Sequence, residues 1–341
     1  MNQDYYGLHA RPFQLTPDPG FWFDMATHKK AMAYLGYGIS QGEGFIVITG
    51  DPGTGKTILV GHLVETIDTE RLNLITIVTT QIKVDDLLHM VAAGLGVETQ
   101  GMARAQALGA IEQGLLDVAR AGRRTLLIVD EVQALPLESL EELRMLSNFQ
   151  LGGFPLLQIF LLGQPEFREA LQGRERLEQL RQRVIAMHEL APMAPDEVQA
   201  YLMHRLSVAG SSGSPTFDDD AVAAIHRWSR GVPREVNLLA ARLMMLGAME
   251  ELDVFTGAHV EQVIADLERD TAPATEPKAS PTRAPDPDNS ELLDRIARME
   301  ARLEEQDRVL RRVLALLVEW VEGDRDRPDP EKVEALTGEQ E

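Results

Sequence analysis

One octapeptide constrains this chain more than any other stretch: Gly50–Asp51–Pro52–Gly53–Thr54–Gly55–Lys56–Thr57. The apolar run "FIVIT" (45–49) precedes it, and the apolar, helix-like "TILVGHLVETI" follows from Thr57. A buried strand, a glycine turn and a helix are therefore expected in direct succession. The octapeptide fits G-x-x-x-x-G-K-[ST]. In that context the glycines let backbone N–H groups turn inward, and the helix N-terminus adds its positive end, so the loop is expected to cradle phosphates. Gly50 through Thr57, with Ile58 next on the helix, form the expected cradle. Lys56 is expected to reach the β- and γ-phosphates, and Thr57 to ligate Mg²⁺. The alternative is a glycine-rich turn that merely opens a helix.

The runs "LNLITIVTT" (72–80), "TLLIVD" (125–130), "LLQIFLLG" (156–163) and "VIAMHEL" (184–190) are the other strand candidates. Near-continuous Leu, Ile and Val suits a parallel sheet covered on both faces. Helical patterns at 84–95, 103–121 and 137–148 fall between them. That alternation predicts a three-layer α/β core. After residue 195 the pattern turns helical, with "PDEVQAYLMHRLSVAG", "FDDDAVAAIHRWSRG", "VPREVNLLAARLMMLGAM" and "TGAHVEQVIADLERD" as four helices. Starts near Pro, Asp or Thr and stops at Gly agree with capping. The expected organisation is an α/β core over 1–190 and a small all-helical lid over 191–270.

Asp130 ends an apolar strand and is expected beside the loop, holding the Mg²⁺ shell, with Glu131 placed to activate water. The alternative is that both acids mark a strand end. Because N-K-x-D, the guanine-selecting motif, is absent, ATP hydrolysis is favoured over GTP switching. Gln164 follows a central strand, where it would meet the γ-phosphate or the attacking water; otherwise it is a loop amide before the helix at Pro165. In "LEQLRQRV", Arg181 or Arg183 would serve as an arginine finger on a neighbouring subunit, or else pair with Glu175 or Glu178. Pro233 suits the first position of a helix, which puts Arg234 in the first turn. A cation there opposes the helix dipole, a penalty that a nearby phosphate offsets. The eight histidines show no metal-ligand spacing, and Phe21, Trp22 and Phe23 read as packing near the adenine.

Residues 271–290, "TAPATEPKASPTRAPDPDNS", read as a polyproline-biased linker. Leu292, Ile296, Met299, Leu303, Gln306, Leu310, Val313, Leu317 and Trp320 then follow coiled-coil a/d spacing, with Gln306 as the polar break. Residues 291–322 are thus a coiled-coil-like helix, or an amphipathic one that folds back, binds a partner or lies on a membrane surface. The acidic end, 323–341, reads as disordered. No cysteine is present, which excludes disulfides, Cys-based zinc and thiol chemistry. The net charge of −21 makes nucleic acid an unlikely partner. The start, "MNQDYYGLHARPF", has no signal-peptide pattern. A cytoplasmic location, peripheral at the inner membrane, is expected.

Taken together, "YYGLHARPFQLTPDPGFWF", "GFIVITGDPGTGKT", "LLIVDEVQAL", "EELRMLSNF", "LQIFLLGQPEFR", "LRQRV" and "GVPREVNLL" resemble an AAA+ ATPase. More narrowly, they are similar to the family of general secretion pathway protein A and its relatives at exosortase loci. The resemblance implies a P-loop core with a helical lid and a homo-oligomer. It implies Walker A at Gly50–Thr57, Walker B at Asp130 and Glu131, a sensor at Gln164, a finger at Arg181 or Arg183 and a lid sensor at Arg234. It also implies His28 as a contact near the base. The secretion protein carries a membrane span and a peptidoglycan-binding region, and neither is seen here. That favours the shorter exosortase-locus type, tied to exopolysaccharide export, with 291–320 docking a protein partner. A transposition-type, DNA-dependent ATPase is the rival class.

Overall fold

The computed structural model describes residues 5–68, 70–78, 83–173 and 175–271. The chain divides into two compact units, Met1–Ala272 and Pro273–Glu341. The expected linker from 272, the coiled-coil-like helix and the acidic end all lie outside the described residues.

Five parallel strands build the main sheet: β1 (Phe45–Gly50), β2 (Leu72–Val78), β3 (Arg124–Asp130), β4 (Leu157–Gly163) and β5 (Val184–Leu190). Their spatial order is β2-β3-β4-β1-β5. The inner strands are the most continuously apolar and are buried on both faces; every residue of β1 and β4 is buried. The edge strands β2 and β5 are only partly buried. This is the burial that continuous Leu/Ile/Val runs demand of a sheet with two covers.

Alternate side chains feed two cores. Val47, Ile77, Leu127, Val129, Ile159 and Leu161 point to one face. There they meet α3 (Val84–Gly94), α4 (Arg104–Arg120), α5 (Leu137–Leu146) and α6 (Pro165–Gly173). Ile46, Ile48, Leu126, Ile128, Phe160 and Leu162 point to the other. There they meet α1 (Ala26–Gln41) and α2 (Lys56–Thr66) through Ala31, Leu35, Leu59 and Leu63. The result is the expected three-layer α/β body.

Beyond it, α7 (Pro195–Val208), α8 (Asp219–Ser229), α9 (Pro233–Glu250) and α10 (Gly257–Thr271) share a third core. Tyr6, Leu8, Phe13, Phe21 and Met25 are buried in that same core. The N-terminal segment, read from sequence with the α/β body, thus gives its apolar side chains to the helical bundle. Two small ladders also escaped the sequence reading. Thr216–Phe217 pairs in parallel with Val254–Phe255, and Gln150–Leu151 forms a hairpin with Phe154–Pro155. Two-residue strands carry no period to detect.

Candidate nucleotide site

Because all five strands are parallel, their C-terminal ends share one edge, where parallel α/β sheets place ligands. Gly50 ends β1, Asp130 ends β3, and Gln164 follows β4. From sequence, Asp130 is expected beside the loop, and its carboxylate does meet the Thr57 hydroxyl. What the sequence leaves open is the strand order: β4 lies between β1 and β3, so Gln164 emerges between the loop and the acidic pair. Strand order depends on crossovers between elements, which a linear pattern does not encode.

The loop itself is held open from within. Gly53 and Gly55 have φ of +88° and +98°, a region that L side chains rarely adopt. Lys56 is the first residue of α2 and is buried. Its Nζ donates to the carbonyls of Gly50 at 2.7 Å and Asp51 at 3.2 Å. Burial pushes its pKa down, while Glu131, Asp130, Asp51 and Glu166 pull the other way. The ammonium is thus folded back on its own loop and surrounded by acids.

Burial raises the pKa of Asp130, and the nearby Glu131 adds to that rise; the Glu131 backbone N–H, Lys56 and the Thr57 hydroxyl act against it. The Glu131 N–H donates to Asp130 Oδ1 at 2.8 Å. Thr57 itself is exposed. A neutral hydroxyl and a carboxylate that touch at the mouth of an anion cradle suit a hard cation held mainly by phosphate and water oxygens. The described residues contain no His/Cys/Asp/Glu cluster that would hold a metal alone.

Glu131 sits in the left-handed region, with φ of 55°. Gln133 Nε2 donates to its Oε2, and so does Gln164 Nε2 at 3.4 Å. Gln133 Oε1 in turn accepts the Gln164 backbone N–H at 3.0 Å. Gln133 therefore ties the acidic pair to the end of β4. Sequence reasoning missed it, and only its nearness to Asp130–Glu131 pointed that way.

Arg234 arrives from the helical bundle. Pro233 is the first residue of α9, as expected. The Arg234 N–H donates to the Gly53 carbonyl at 3.3 Å, and a Cβ at Gly53 would come within 2.7 Å of Arg234 Cβ. The exposed Arg234 side chain therefore starts at the phosphate loop.

His28 approaches from α1. Its Nε2 lies 3.0 Å from the Thr54 carbonyl. A carbonyl only accepts, so Nε2 carries the proton. Burial lowers the His28 pKa, which favours this neutral form. Its ring stacks on Trp22 at 5.1 Å, and Trp22 stacks on His62 of α2 at 4.1 Å. His28 is thus engaged with loop backbone rather than turned outward. Phe21 is buried in the bundle core, and Phe23 packs on Tyr201.

Arg181 and Arg183 lie elsewhere. The Arg183 carbonyl accepts the Phe45 N–H at 2.9 Å, which puts it at the opposite sheet edge from Gly50. Its Nη1 donates to Ser147 Oγ at 2.9 Å. Arg181 ends the single helical turn Glu178–Arg181 and pairs with Glu178. Neither joins the chain's own Lys56.

Residues 39–171 match the family model for an AAA domain. Over 246 residues the chain is 35% identical to general secretion pathway protein A of Aeromonas hydrophila. The chain belongs to the general secretion pathway protein A family of AAA proteins. The match takes in 72% of this chain but 44% of that relative, so the chain spans less than half the relative's length. Among solved structures, the Aeropyrum pernix ORC1 protein in complex with DNA superimposes with a TM-score of 0.55. That match has 17% identity over 77% of this chain and 73% of that one. Cdc6p from Pyrobaculum aerophilum gives 0.54, with 15% identity over 73% and 70%. These distant likenesses establish the AAA fold for this family member.

Proposed function

We propose that this AAA protein binds Mg-ATP at Gly50–Ile58 and hydrolyses it, and that hydrolysis drives or regulates a secretion or exopolysaccharide-assembly system. One observation carries the reading: Lys56, Thr57, Asp130, Glu131 and Gln164 gather at one sheet edge, and Arg234 from the lid touches Gly53. In this reading Thr57 and Asp130 hold Mg²⁺, which when bound neutralises phosphate charge. Lys56 leaves the loop carbonyls for phosphate oxygens. Glu131, kept in place by Gln133 and Gln164, takes the proton of the attacking water. Arg234 reports the γ-phosphate to the lid. His28 braces the loop below the base. Arg181 or Arg183, far from the chain's own loop, acts on a neighbouring subunit in a homo-oligomer.

The test is phosphate release. Glu131→Gln lowers turnover by about 10²–10⁴-fold while nucleotide binding persists, and Lys56→Ala weakens binding itself. Wild-type hydrolysis by Lys56→Ala sinks the site assignment. The output side rests on the sequence pattern at 291–320, proposed to dock a protein partner at the inner membrane. No helix among the described residues is long and apolar enough to cross a membrane. Deleting 291–341 is expected to lower oligomeric order or partner binding and leave nucleotide affinity intact. A low-salt gel shift separates this reading from a DNA-dependent ATPase, which requires ATP-dependent, salt-sensitive duplex binding.

A further inference from the structure

We propose that the recess between α1, the C-terminal end of α2 and the start of β2 is a second ligand site, built for a small amphipathic carboxylate with an apolar body. The recess measures about 620 Å³, within the range of roughly 300–1,000 Å³ usual for small-molecule pockets. Met32, Ile39, Leu63, Ile67 and Leu72 supply apolar walls.

Its polar groups sort by what they already do. The hydroxyls of Ser40 and Thr66 donate back to carbonyls of their own helices, Tyr37 at 2.6 Å and Leu63 at 2.9 Å. Asp68 pairs with Arg71, Nε to Oδ2, at 3.4 Å. Arg124 donates one N–H to the Ile39 carbonyl at 3.1 Å and has no carboxylate partner among the described residues. Both arginines line the recess, and their backbones meet where the Arg124 main-chain N–H donates to the Arg71 carbonyl at 2.9 Å. Two guanidiniums and one carboxylate leave the rim cationic, in a chain of net charge −21. An arginine with spare N–H donors beside apolar walls selects a carboxylate on an apolar stem.

Gly36 adds an independent mark. It lies inside α1, lines the recess, and a Cβ there would meet nothing within 4 Å. Internal packing does not require a glycine at that position, and helix interiors disfavour it. Its absent side chain keeps the wall of the recess open. The two helical walls are those that carry His28 and Lys56 at their other ends, so an occupant would stand behind the nucleotide loop without touching it.

The experiment is calorimetric titration of the full chain with dodecanoate, below its micelle threshold and with saturating Mg-ADP to keep the probe out of the nucleotide site. Saturable binding of one molecule per chain is expected. Gly36→Leu fills the recess and Arg124→Gln removes the anion contact; each is expected to weaken binding by about tenfold or more. Dodecan-1-ol, with the same stem and no charge, is expected to bind the wild type about tenfold more weakly. An unchanged melting temperature for Arg124→Gln keeps that result separate from misfolding. Absence of saturable binding, or equal binding by all three proteins, overturns the proposal. Because nothing here depends on hydrolysis, loss of activity in Glu131→Gln leaves the outcome untouched.

Discussion

Gln133 shows how one side chain can hold two others in place. Its amide bridges the Glu131 carboxylate and the Gln164 backbone N–H. Gln133→Ala is therefore expected to lower kcat by about tenfold, from the loss of a hydrogen bond to a charged group, with little change in ATP affinity. A KM change without a kcat change would contradict that role. Asp130 makes a pH prediction. Burial raises its pKa from the ordinary 3.8, so the native state holds this proton more tightly than the unfolded chain. Stability then falls as pH rises through the interval from 3.8 upward. In nucleotide-free protein, Asp130→Asn is expected to raise Tm at pH 7, with the gain vanishing below pH 3.8. Thermal melts across pH check it. The cost of that buried carboxylate is what a bound cation would offset.

Among the elements, α1 and the sheet meet unusually closely. A Cβ on Gly38 would come within 2.6 Å of Ile46 and 3.3 Å of Phe160. Gly38→Val therefore overpacks the interface between α1 and β1–β4, at about 1–3 kcal/mol. It should lower the denaturant midpoint, and because α1 carries His28 it should also weaken nucleotide binding. An unchanged midpoint would mean that α1 does not rest on the sheet there. Gly36, half a turn away on the same helix, has open space around it, so Gly36→Ala is the matched control expected to be neutral or mildly stabilising.

The segment from Pro12 to His28 ties the molecule together. The Arg205 guanidinium of α7 donates to the Pro12 carbonyl and lies 4.8 Å from the Phe21 ring centre. His204 of α7 bonds the Trp22 carbonyl at 2.8 Å, and Glu197 accepts the Ala26 N–H at 2.8 Å. Through His28 the same segment reaches Thr54. A continuous set of contacts thus joins the helical bundle to the Thr54 carbonyl of the loop. Phe21→Ala is expected to cost about 3–5 kcal/mol and to weaken nucleotide affinity although Phe21 touches no phosphate. Full stability in chemical denaturation would show that the segment is an ornament on the bundle.

Local sequence determined the phosphate loop, the runs that became inner strands, and the start of α9 at Pro233. Each depends on neighbours in the chain: glycine φ, continuous apolar burial, and the fixed φ of proline. Sequence also put Glu131 beside Asp130 by adjacency alone. It did not reveal that β4 lies between β1 and β3, that Gln133 bridges Glu131 and Gln164, or that residues 6–25 belong to the helical core. Those facts join residues far apart in the chain, and they follow from crossovers and packing that no local period records. Gly53 marks the boundary most clearly. Its place in the loop motif is written in the sequence, but its contact with Arg234 exists only because the folded bundle brings α9 onto the loop.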